Sequence, residues 1–293
     1  MSLYDSILVT GGGGMLGHAL TDLLHDRGDN PTALSHAQLD ITDGAQLTNV
    51  FAELKPTLVL NCAAHTKVDL CEKEREKADA INGHAVGKLA ALCARDRACL
   101  VHVSTDFVFD GKLRRPYRDD DAVNPIQAYG QSKLLGETEL QHHAPADWLI
   151  VRTAWVYGRH GGNFPRTMVT AARAGKPLAV VADQFGSPTY APDLAEAILA
   201  LLNANARGIW HVTNAGQTNW RDFAQAAINE FGLPNQVAPL TSDQWRQMKP
   251  DSAVRPPYTV LDIHPYAQAT GHPMRPWQEG LRDFRDAVQR DGF

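Results

Sequence analysis

The sequence predicts an α/β fold in which a doubly wound parallel sheet is joined by a smaller C-terminal lobe, and three observations carry this prediction. Through the first half of the chain, short β-rich apolar runs alternate with helix-length stretches, as in sheets whose strands are buried on both faces. A glycine-rich turn directly follows the first run. After Gly158, glycines, prolines and aromatic residues interrupt shorter helices, which is typical of loops that carry function.

The strands of the first lobe are indicated by apolar runs. We interpret as buried parallel strands ILV from Ile7, LVLNCAA from Leu58, LVHVST from Leu100 and WLIVRTAWVY from Trp148. Helical stretches separate these runs, and one of them carries a single apolar stripe formed by Ile81, Ala85, Leu89 and Leu92. Such a stripe is expected of a helix that packs on a sheet.

We expect the first lobe to comprise residues 1–158 and the second lobe residues 159–293. The boundary is not a single cut, because a helical pattern at 193–202 and a strand-like run at 209–213 are expected to return to the first lobe, within about residues 190–214. The closing segment is amphipathic, with an apolar stripe formed by Trp277, Leu281, Phe284 and Val288. It is expected to pack on its own lobe, with a dimer contact as the alternative.

The composition excludes several classes of protein. The 293 residues are 44% hydrophobic, and 28 Lys and Arg stand against 33 Asp and Glu, for a formal net charge of -5. This balance, without a basic run, argues against a nucleic-acid-binding protein. The first ten residues lack the basic and apolar regions of a signal peptide, and no apolar stretch approaches the length of a membrane span. We therefore expect a cytoplasmic protein that binds neither nucleic acid nor membrane.

The cysteines indicate a reducing compartment. Four cysteines occur, at positions 62, 71, 93 and 99, and none forms a C-x-x-C pair, so we interpret all four as thiols. Cys62 and His65 have the C-x-x-H spacing, but no second ligand pair stands at metal spacing. We therefore predict no zinc site.

The glycine turn predicts a nucleotide site. Gly11, Gly14 and Gly17 form G-x-x-G-x-x-G between the first strand and a helical pattern. Residues without a Cβ let the chain bend sharply and let backbone N–H groups approach a pyrophosphate, whose charge the helix N-terminus favours. The strand before and the helix after predict a Rossmann-type dinucleotide-binding fold. The spacing resembles that of the extended short-chain dehydrogenase/reductase family.

The choice of dinucleotide depends on the end of the second strand. Ser35 and His36 stand there, where a carboxylate would accept a hydrogen bond from the ribose 2′-OH of NAD. No carboxylate repels a 2′-phosphate, although no arginine is present to bind one. We expect NADPH, with NADH as the alternative.

Tyr129 and Lys133 form the candidate catalytic pair. Their spacing of four puts both on one face of a helix. A tyrosine is a poor acid or base near neutral pH unless a cation stabilises its phenolate, and Lys133 can supply that charge while it binds the nicotinamide ribose. Thr105 ends the strand LVHVST, at the sheet edge where ligands bind. We expect its hydroxyl to bond the reacting carbonyl.

Longer motifs resemble one branch of this superfamily. In order and spacing, the chain resembles the dTDP-4-dehydrorhamnose reductase family over essentially its whole length. The motifs that carry the resemblance are NCAAHTKVDLCE (61–72), STDFVFDG (104–111), YGQSKLLGE (129–137), RTAWVYG (152–158), NFPRTM (163–168), DQFGSPT (183–189) and RPPYTVLD (255–262).

The resemblance implies reduction of the C4 ketone of dTDP-4-dehydro-L-rhamnose by NAD(P)H, the last step toward dTDP-L-rhamnose for surface polysaccharide, with the proton donated by Tyr129. It implies a homodimer, sometimes with Mg²⁺ at the subunit contact, for which the residues themselves give no argument. It places Asn82 at the position that orders water toward the lysine. The remaining cofactor positions are Gly14, Met15 and Leu16 with Gly11 and Gly17 at the pyrophosphate turn, Ser35, Asp40 and Ile41 toward adenosine, and Ala63, Ala64, His65 and Thr66 after the fourth strand.

The resemblance also implies a set of substrate contacts. These are Thr105, Asp106, Trp155, Asn163, Phe164 and Arg255. Structural alternatives stand beside several of them: His65 as a structural histidine, Trp155 as core, Arg255 as a solvated charge and Asp106 as a turn residue. For Asp43, the alternative to a cofactor role is that of an ordinary helix N-cap residue.

The chain lacks residues that two related enzyme activities require. A 4,6-dehydratase needs a second carboxylate after the strand-end threonine, but Phe107 follows Asp106. A GDP-fucose synthase type of epimerase-reductase uses a cysteine near the substrate, and none follows Thr105 closely. Two alternatives stay open: a reductase of another nucleotide-linked keto-sugar, and a non-catalytic regulatory subunit of the methionine adenosyltransferase type. The presence of both Tyr129 and Lys133 favours an enzyme.

Overall fold

The computed structural model describes residues 4–143 and 145–293. Its central feature within these residues is a parallel sheet of six strands. In spatial order the strands are β2 (Thr32–Leu34), β1 (Ile7–Thr10), β3 (Leu58–Asn61), β4 (Cys99–Thr105), β5 (Trp148–Thr153) and β10 (Gly208–His211). The strand order reverses between β1 and β3, where open α/β sheets form their ligand crevice.

Helices cover both faces of the sheet and confirm the predicted fold class. One face packs against α1 (Met15–Asp26), α8 (Ala191–Asn203) and α11 (His264–Thr270). The other face packs against α2 (Gly44–Leu54), α5 (Ala85–Asp96) and α6 (Ala128–His143). Strands such as β1 and β3 are buried along their whole length, which explains why their sequences are continuous apolar runs.

The smaller elements lie in the loops after the strands and in the second lobe. Those of the first part are α3 (Val68–Lys73), α4 (Arg75–Ala78) and β6 (Val156–Tyr157). The others are α7 (Phe164–Arg173), β7 (Leu178–Val181), β8 (Phe185–Gly186), β9 (Thr189–Tyr190), β11 (Thr218–Asn219), α9 (Trp220–Glu230), β12 (Val237–Leu240), α10 (Ser242–Met248) and α12 (Trp277–Arg290).

The second lobe has its own aromatic core. Phe223 of α9 packs with Tyr157 and with Trp277, Leu281 and Phe284 of α12. The apolar stripe of α12 is thus buried within this lobe, as the amphipathic pattern predicts. No helix of the described ranges is both long and apolar enough to cross a membrane.

Three local expectations are wrong. The run WLIVRTAWVY is not one strand, because Trp155 has a φ of 48° and separates β5 from β6. The resemblance places residues 63–66 after a fourth strand, but the residues before Leu39 form turns and no strand, so the loop of residues 62–67 follows β3. The helix that contains Ile81 is interrupted by a π-helical segment, Asp79–His84, an irregularity that is frequent at functional sites.

Candidate active site

A cavity of about 540 Å³ opens at the carboxyl ends of the central strands, where ligands bind in this fold class. The predicted residues that line it are Gly14, Met15, Leu16, Gly17, Ala64, Thr66, Thr105, Asp106, Tyr129, Lys133, Trp155, Asn163 and Arg255. They come from distant parts of the chain, and the sheet brings them together because its parallel strands end at one edge.

The glycine turn leaves no room for side chains. Gly11 has a φ of 65°, and a Cβ there would lie 2.6 Å from the backbone nitrogen of Ala63. A Cβ on Gly17 would collide with the carbonyl oxygen of Gly11. Both positions therefore require glycine, and the turn can approach both β3 and a bound group through backbone alone.

The N-terminus of α1 fits a pyrophosphate. Gly14 is the N-cap residue and forms no side-chain cap, and the first turn contains no acidic residue. The backbone N–H groups of Met15 and Leu16 are among those that an α-helix leaves without a partner at its start, and both residues line the cavity. The residues present thus fit the phosphates of a dinucleotide.

The predicted adenosine positions are divided between surface and core. Ser35 stands at the end of β2 with its hydroxyl bonded to Gln38 Oε1 at 2.7 Å, and it faces the glycine turn at Gly13. Asp40 is engaged locally, because the backbone and the hydroxyl of Thr42 donate to its carboxylate. These hydrogen bonds lower the pKa of Asp40. Ile41 is buried in the core, and none of the three lines the cavity.

Asp43 acts as the N-cap of α2. Its carboxylate accepts hydrogen bonds from the backbone nitrogens of Ala45 at 2.9 Å and Gln46 at 3.1 Å. Hydrogen bonds from Gln46 and Ala45 lower the pKa of this carboxyl. Asp43 is therefore an ordinary helix N-cap residue, which is the alternative to a cofactor role and is expected of an aspartate before a helix.

The loop after β3 is tied to α6 through Asn82. The Asn82 side chain accepts from His65 N at 2.8 Å and donates to His65 O at 3.0 Å and to Ser132 Oγ at 2.9 Å. His65 itself points to Glu74, with Nε2 3.3 Å from the carboxylate. Ala63, His65 and Asn82 do not line the cavity. Asn82 instead fixes the backbone that presents Ala64 and Thr66.

Tyr129 enters the cavity from the first turn of α6. The Thr105 hydroxyl is within hydrogen-bonding reach of its phenol, which lowers the pKa of Tyr129, but burial and the nearby Asp106 carboxylate raise it more. The net effect is a pKa above the usual value for a tyrosine. Tyr129 is therefore protonated at neutral pH, which is the state that a proton donor needs.

Lys133 lies one turn further along α6, and its side chain is only 1% exposed. Its amino group donates to Val103 O at 2.7 Å and lies 3.1 Å from His102 Nε2. Burial lowers the pKa of Lys133 to about 8, although Glu137 and Cys62 act in the opposite direction. The lysine is thus mostly charged at pH 7 and is held within the sheet edge.

Asp106 is a buried carboxyl at the end of β4. It accepts hydrogen bonds from the hydroxyl of Thr105 at 3.0 Å and from the hydroxyl of Thr259. Burial raises the pKa of Asp106 to about 7, since it outweighs these two hydrogen bonds. Thr259 is distant from Asp106 in the sequence, so this contact joins the end of β4 to the segment that follows Arg255.

A buried ion pair supports the end of β4 from behind. Arg152 of β5 donates to both oxygens of Glu137, at 3.0 and 2.7 Å, and Ser104 Oγ donates to the same carboxylate at 2.5 Å. Both charged side chains are at most 3% exposed. We call Ser104, Thr105, Asp106, Tyr129 and Lys133 the polar wall of the cavity.

The opposite side of the cavity is aromatic. Trp155 stacks on Trp220 with ring centroids 3.6 Å apart, and both line the cavity. Phe164 packs edge-on against Trp220 at 4.7 Å, and Phe223 lies behind Trp155. We call these four residues the aromatic wall. Phe164 supports this wall but does not itself reach the cavity.

The two other predicted substrate contacts already have protein partners. Asn163 caps α7 through Arg166 N at 3.0 Å and donates to Gly158 O at 2.7 Å. Arg255 lies 2.9 Å from Asp69 and also donates to Ala253 O. Both line the cavity, so Arg255 brings a positive charge to it from the second lobe.

Comparison with known proteins identifies the family. The model of the family described as RmlD substrate binding domain matches residues 5–290. The chain belongs to this family. It is 42% identical to the dTDP-4-keto-6-deoxy-D-glucose reductase of Streptomyces niveus over 95% of this chain and 96% of the relative. It is 42% identical to the dTDP-4-dehydrorhamnose reductase of Streptomyces griseus over 96% of this chain and 93% of the relative.

A solved structure agrees with this assignment. The dTDP-4-dehydrorhamnose reductase of Bacillus anthracis str. Ames, in complex with NADP, aligns with a TM-score of 0.90 and 33% identity, over 96% of this chain and 98% of that one. The family resemblance stated from the motifs is thereby confirmed, as is the expectation of a reductase.

Sequence reasoning missed several residues of this reductase site. His102 and Glu137 lie behind the polar wall, Thr259 bonds Asp106, and Trp220 completes the aromatic wall. A histidine inside the apolar run LVHVST was a signal, because a buried polar side chain needs a partner. Thr259 stands within the motif RPPYTVLD, but its role depends on a contact with the distant Asp106. Trp220 carried no local signal, since its role comes from stacking on the distant Trp155.

Metal binding finds no support among the residues that the structure describes. No group of three or more histidine, cysteine, aspartate or glutamate side chains there could hold a metal ion. Cys62, Cys71, Cys93 and Cys99 are free thiols.

Proposed function

We propose that the chain reduces the C4 ketone of dTDP-4-dehydro-L-rhamnose to the alcohol of dTDP-L-rhamnose with NADPH. The observation that carries this proposal is the convergence of Thr105, Tyr129 and Lys133 on the cavity beside a glycine turn that fits a dinucleotide. Relatives at 42% identity bear the names of dTDP-sugar reductases, which supports the same substrate class.

The polar wall supplies the proton chemistry. A dinucleotide held by the glycine turn would supply the hydride for C4. Tyr129 donates its phenolic proton to the carbonyl oxygen, which becomes the C4 hydroxyl. The Thr105 hydroxyl orients that oxygen, and the ammonium of Lys133 stabilises the phenolate that Tyr129 leaves behind.

The dinucleotide is held mainly by groups that carry no formal charge. Gly14, Met15 and Leu16 present backbone N–H groups to the pyrophosphate. Ser35 stands where a carboxylate would repel the 2′-phosphate of NADPH, and the relative from Bacillus anthracis is a complex with NADP. NADPH is therefore the expected cofactor. Ala64 and Thr66 of the loop after β3 line the cavity beside the glycine turn, and Asn82 holds this loop through His65.

The substrate lies between the two walls in this proposal. Trp155 and Trp220 offer apolar faces to the sugar nucleotide, and Arg255 offers a positive charge to its diphosphate. Residues 159–293 then form the substrate-binding lobe, and residues 1–158 with about 190–214 form the dinucleotide-binding domain. The convergence of Tyr129 and Lys133 favours catalysis over a regulatory subunit.

The same proposal includes the assembly and the cellular location of the enzyme. A cytoplasmic homodimer is what the resemblance implies. Light scattering of the purified protein tests the dimer, which a mass near the 32.1 kDa of one chain would contradict. Cell fractionation tests the location.

Turnover on a panel of sugar nucleotides tests the function. The protein is incubated with NADPH and with dTDP-4-dehydro-L-rhamnose, dTDP-4-keto-6-deoxy-D-glucose or a GDP-4-keto sugar, and products are identified by NMR. We expect the highest kcat/KM for the first substrate and a product with the L-rhamno configuration. A preference for the second substrate would give the chain the activity named for the Streptomyces niveus relative, and a preference for the GDP sugar would overturn the nucleotide assignment.

A further inference from the structure

His102 lies next to the amino group of Lys133 in the middle of β4. Its side chain is completely buried, and its Nε2 is 3.1 Å from Lys133 Nζ. The same amino group donates to Val103 O at 2.7 Å. Two neighbouring residues of β4 thus hold Lys133 from behind, while the lysine still lines the cavity.

A polar row crosses the sheet behind this contact. Thr10 pairs with Asn61, and Asn61 pairs with His102, in the register of β1, β3 and β4. The Thr10 hydroxyl lies 2.6 Å from Asn61 Oδ1, and Asn61 Nδ2 lies 3.0 Å from His102 Nδ1. All three side chains are at most 1% exposed. In a buried row of this kind each side chain must donate where its neighbour accepts, so the proton positions of the three members depend on one another.

The electrostatic surroundings keep His102 neutral. Burial and the neighbouring Lys133 lower the pKa of His102 well below its ordinary value. The other titratable groups around the lysine are Glu137 and Tyr129 on α6 and Cys62 after β3, while Arg152 on β5 is paired with Glu137. Burial raises the pKa of Cys62 to about 12, so this group is an uncharged thiol. A neutral imidazole has one donor and one acceptor nitrogen.

We propose that His102 is a positioning residue for Lys133. In this proposal His102 Nε2 accepts a hydrogen bond from the Lys133 ammonium. His102 Nε2 and Val103 O together then fix two of the three N–H directions of the ammonium and leave the third for the cavity. The inference rests on the proposed function in assigning Lys133 to catalysis. The inference goes beyond the proposed function because it names a residue of β4 that touches neither substrate nor cofactor.

The proposal fixes the tautomer of the imidazole. If Nε2 accepts, then Nδ1 carries the proton and must face an acceptor. In the structure the Asn61 NH₂ faces Nδ1 and Oδ1 accepts from Thr10. The proposal therefore requires the Asn61 amide to be turned by half a turn about its Cβ–Cγ bond, so that Oδ1 accepts from Nδ1 and the NH₂ donates to the Thr10 oxygen. In the opposite tautomer Nε2 would donate, and Lys133 would have to be an uncharged amine.

Two variants separate the acceptor at Nε2 from the rest of the side chain. His102→Gln places an amide near the position of Nε2 and can accept from Lys133. His102→Asn reaches only the position of Nδ1 and leaves the lysine without this partner. Because hydrogen bonds to the charged form stabilise it, loss of the acceptor disfavours the ammonium and moves its deprotonation to lower pH.

The pH profile of kcat for NADPH-dependent reduction is the first readout. In the wild type we expect kcat to fall above about pH 8 as Lys133 loses its charge. His102→Asn should move this alkaline limb down by about 1 pH unit, a tenfold change in the proton equilibrium. It should lower kcat at pH 7 by about twofold and kcat at pH 8 by about fivefold, because the charged fraction of Lys133 falls by these factors. His102→Gln should keep the limb near its wild-type position. Equal limbs in all three proteins, or equal shifts in both variants, would overturn the proposal.

The imidazole of the wild-type protein gives a second readout that needs neither activity nor a variant that folds. Nitrogen-15 NMR, with His102 assigned through its contacts to Lys133 and Val103, should show Nε2 unprotonated and Nδ1 protonated between pH 6 and 8. A protonated Nε2 would contradict the inference. If the wild type reduces none of the keto-sugars, the proposed function fails, while this spectrum still decides the role of His102.

Discussion

The two sides of the cavity are built on opposite principles. The polar wall is made of buried side chains that are bonded to one another and to residues behind them, including the Glu137–Arg152 ion pair. The aromatic wall is made of stacked rings, with Trp155 and Trp220 at 3.6 Å, and its exposed faces offer shape rather than hydrogen bonds.

This difference in construction indicates that the polar wall carries out proton transfer and that the aromatic wall binds the sugar nucleotide. Proton transfer needs groups held at fixed distances with shifted proton affinities, and burial among hydrogen-bonding partners provides both. Recognition of a sugar nucleotide needs apolar surface whose contacts depend on the ligand's shape. We therefore expect changes in the polar wall to alter kcat and stability, and changes in the aromatic wall to alter KM.

The largest effect is expected from Tyr129→Phe. Removal of the phenolic proton donor should lower kcat by about 10²- to 10⁴-fold, the contribution typical of a positioned acid. NADPH affinity, measured by quenching of protein fluorescence, should change little. The matched control is Tyr266→Phe, which removes a hydroxyl from α11 in the core beneath the sheet. An undiminished kcat for Tyr129→Phe would remove the residue from the mechanism.

The next largest effect is expected from Glu137→Gln. This change leaves the guanidinium of Arg152 buried without its counter-charge, and such uncompensated charges cost about 3–5 kcal/mol. Urea unfolding measures the loss. The control is Glu230→Gln, whose partner Arg285 is partly exposed, and there the loss should stay below about 1 kcal/mol. Similar losses in both variants would show that burial does not distinguish the two pairs.

Asp106→Asn should change how stability depends on pH. The pKa of Asp106 is raised to about 7 in the folded protein by burial, so the folded state binds the proton more tightly than the unfolded state. This contribution is fully present below the unfolded pKa near 4 and is lost as pH rises to about 7, on the order of 4 kcal/mol. The asparagine variant should lack this loss.

Unfolding in urea at pH 5, 6, 7 and 8 checks this expectation. The free energy of unfolding of the wild type, relative to Asp106→Asn, should fall between pH 5 and 7 and then level off. Asp110→Asn is the control, because hydrogen bonds from Lys112 and Asn124 outweigh burial and lower the pKa of Asp110 to about 2. Its difference from the wild type should stay constant over this range. A constant difference for Asp106→Asn would contradict the assigned shift.

The smallest effect is expected from Trp220→Ala in the aromatic wall. Loss of the ring that stacks on Trp155 should raise KM for the sugar nucleotide by about tenfold, or about 1.4 kcal/mol, with kcat and the KM for NADPH nearly unchanged. Trp245→Ala, on α10 and away from the cavity, should change none of these constants. A fall in kcat at constant KM would contradict the assignment of substrate binding to the aromatic wall and of catalysis to the polar wall.

The parts of the fold and site that could be predicted are those that depend on the spacing of residues close together in the sequence. The glycine turn, Tyr129 with Lys133, and Thr105 at a strand end are patterns within a few residues of one another, and helix and strand geometry place such residues directly. The break of WLIVRTAWVY at Trp155 was missed, because a positive φ is uncommon for any residue other than glycine and nothing in the run itself signals it.

The sequence by itself determined the doubly wound sheet, the nucleotide turn and the catalytic pair, since each depends on periodicity or on short spacing. Only the tertiary structure decided that His102 supports Lys133, that Thr259 bonds Asp106 and that Trp220 faces Trp155. These contacts join residues from 31 to 153 positions apart. Their partners are chosen when burial removes water and leaves each polar or aromatic group to find its contact within the protein.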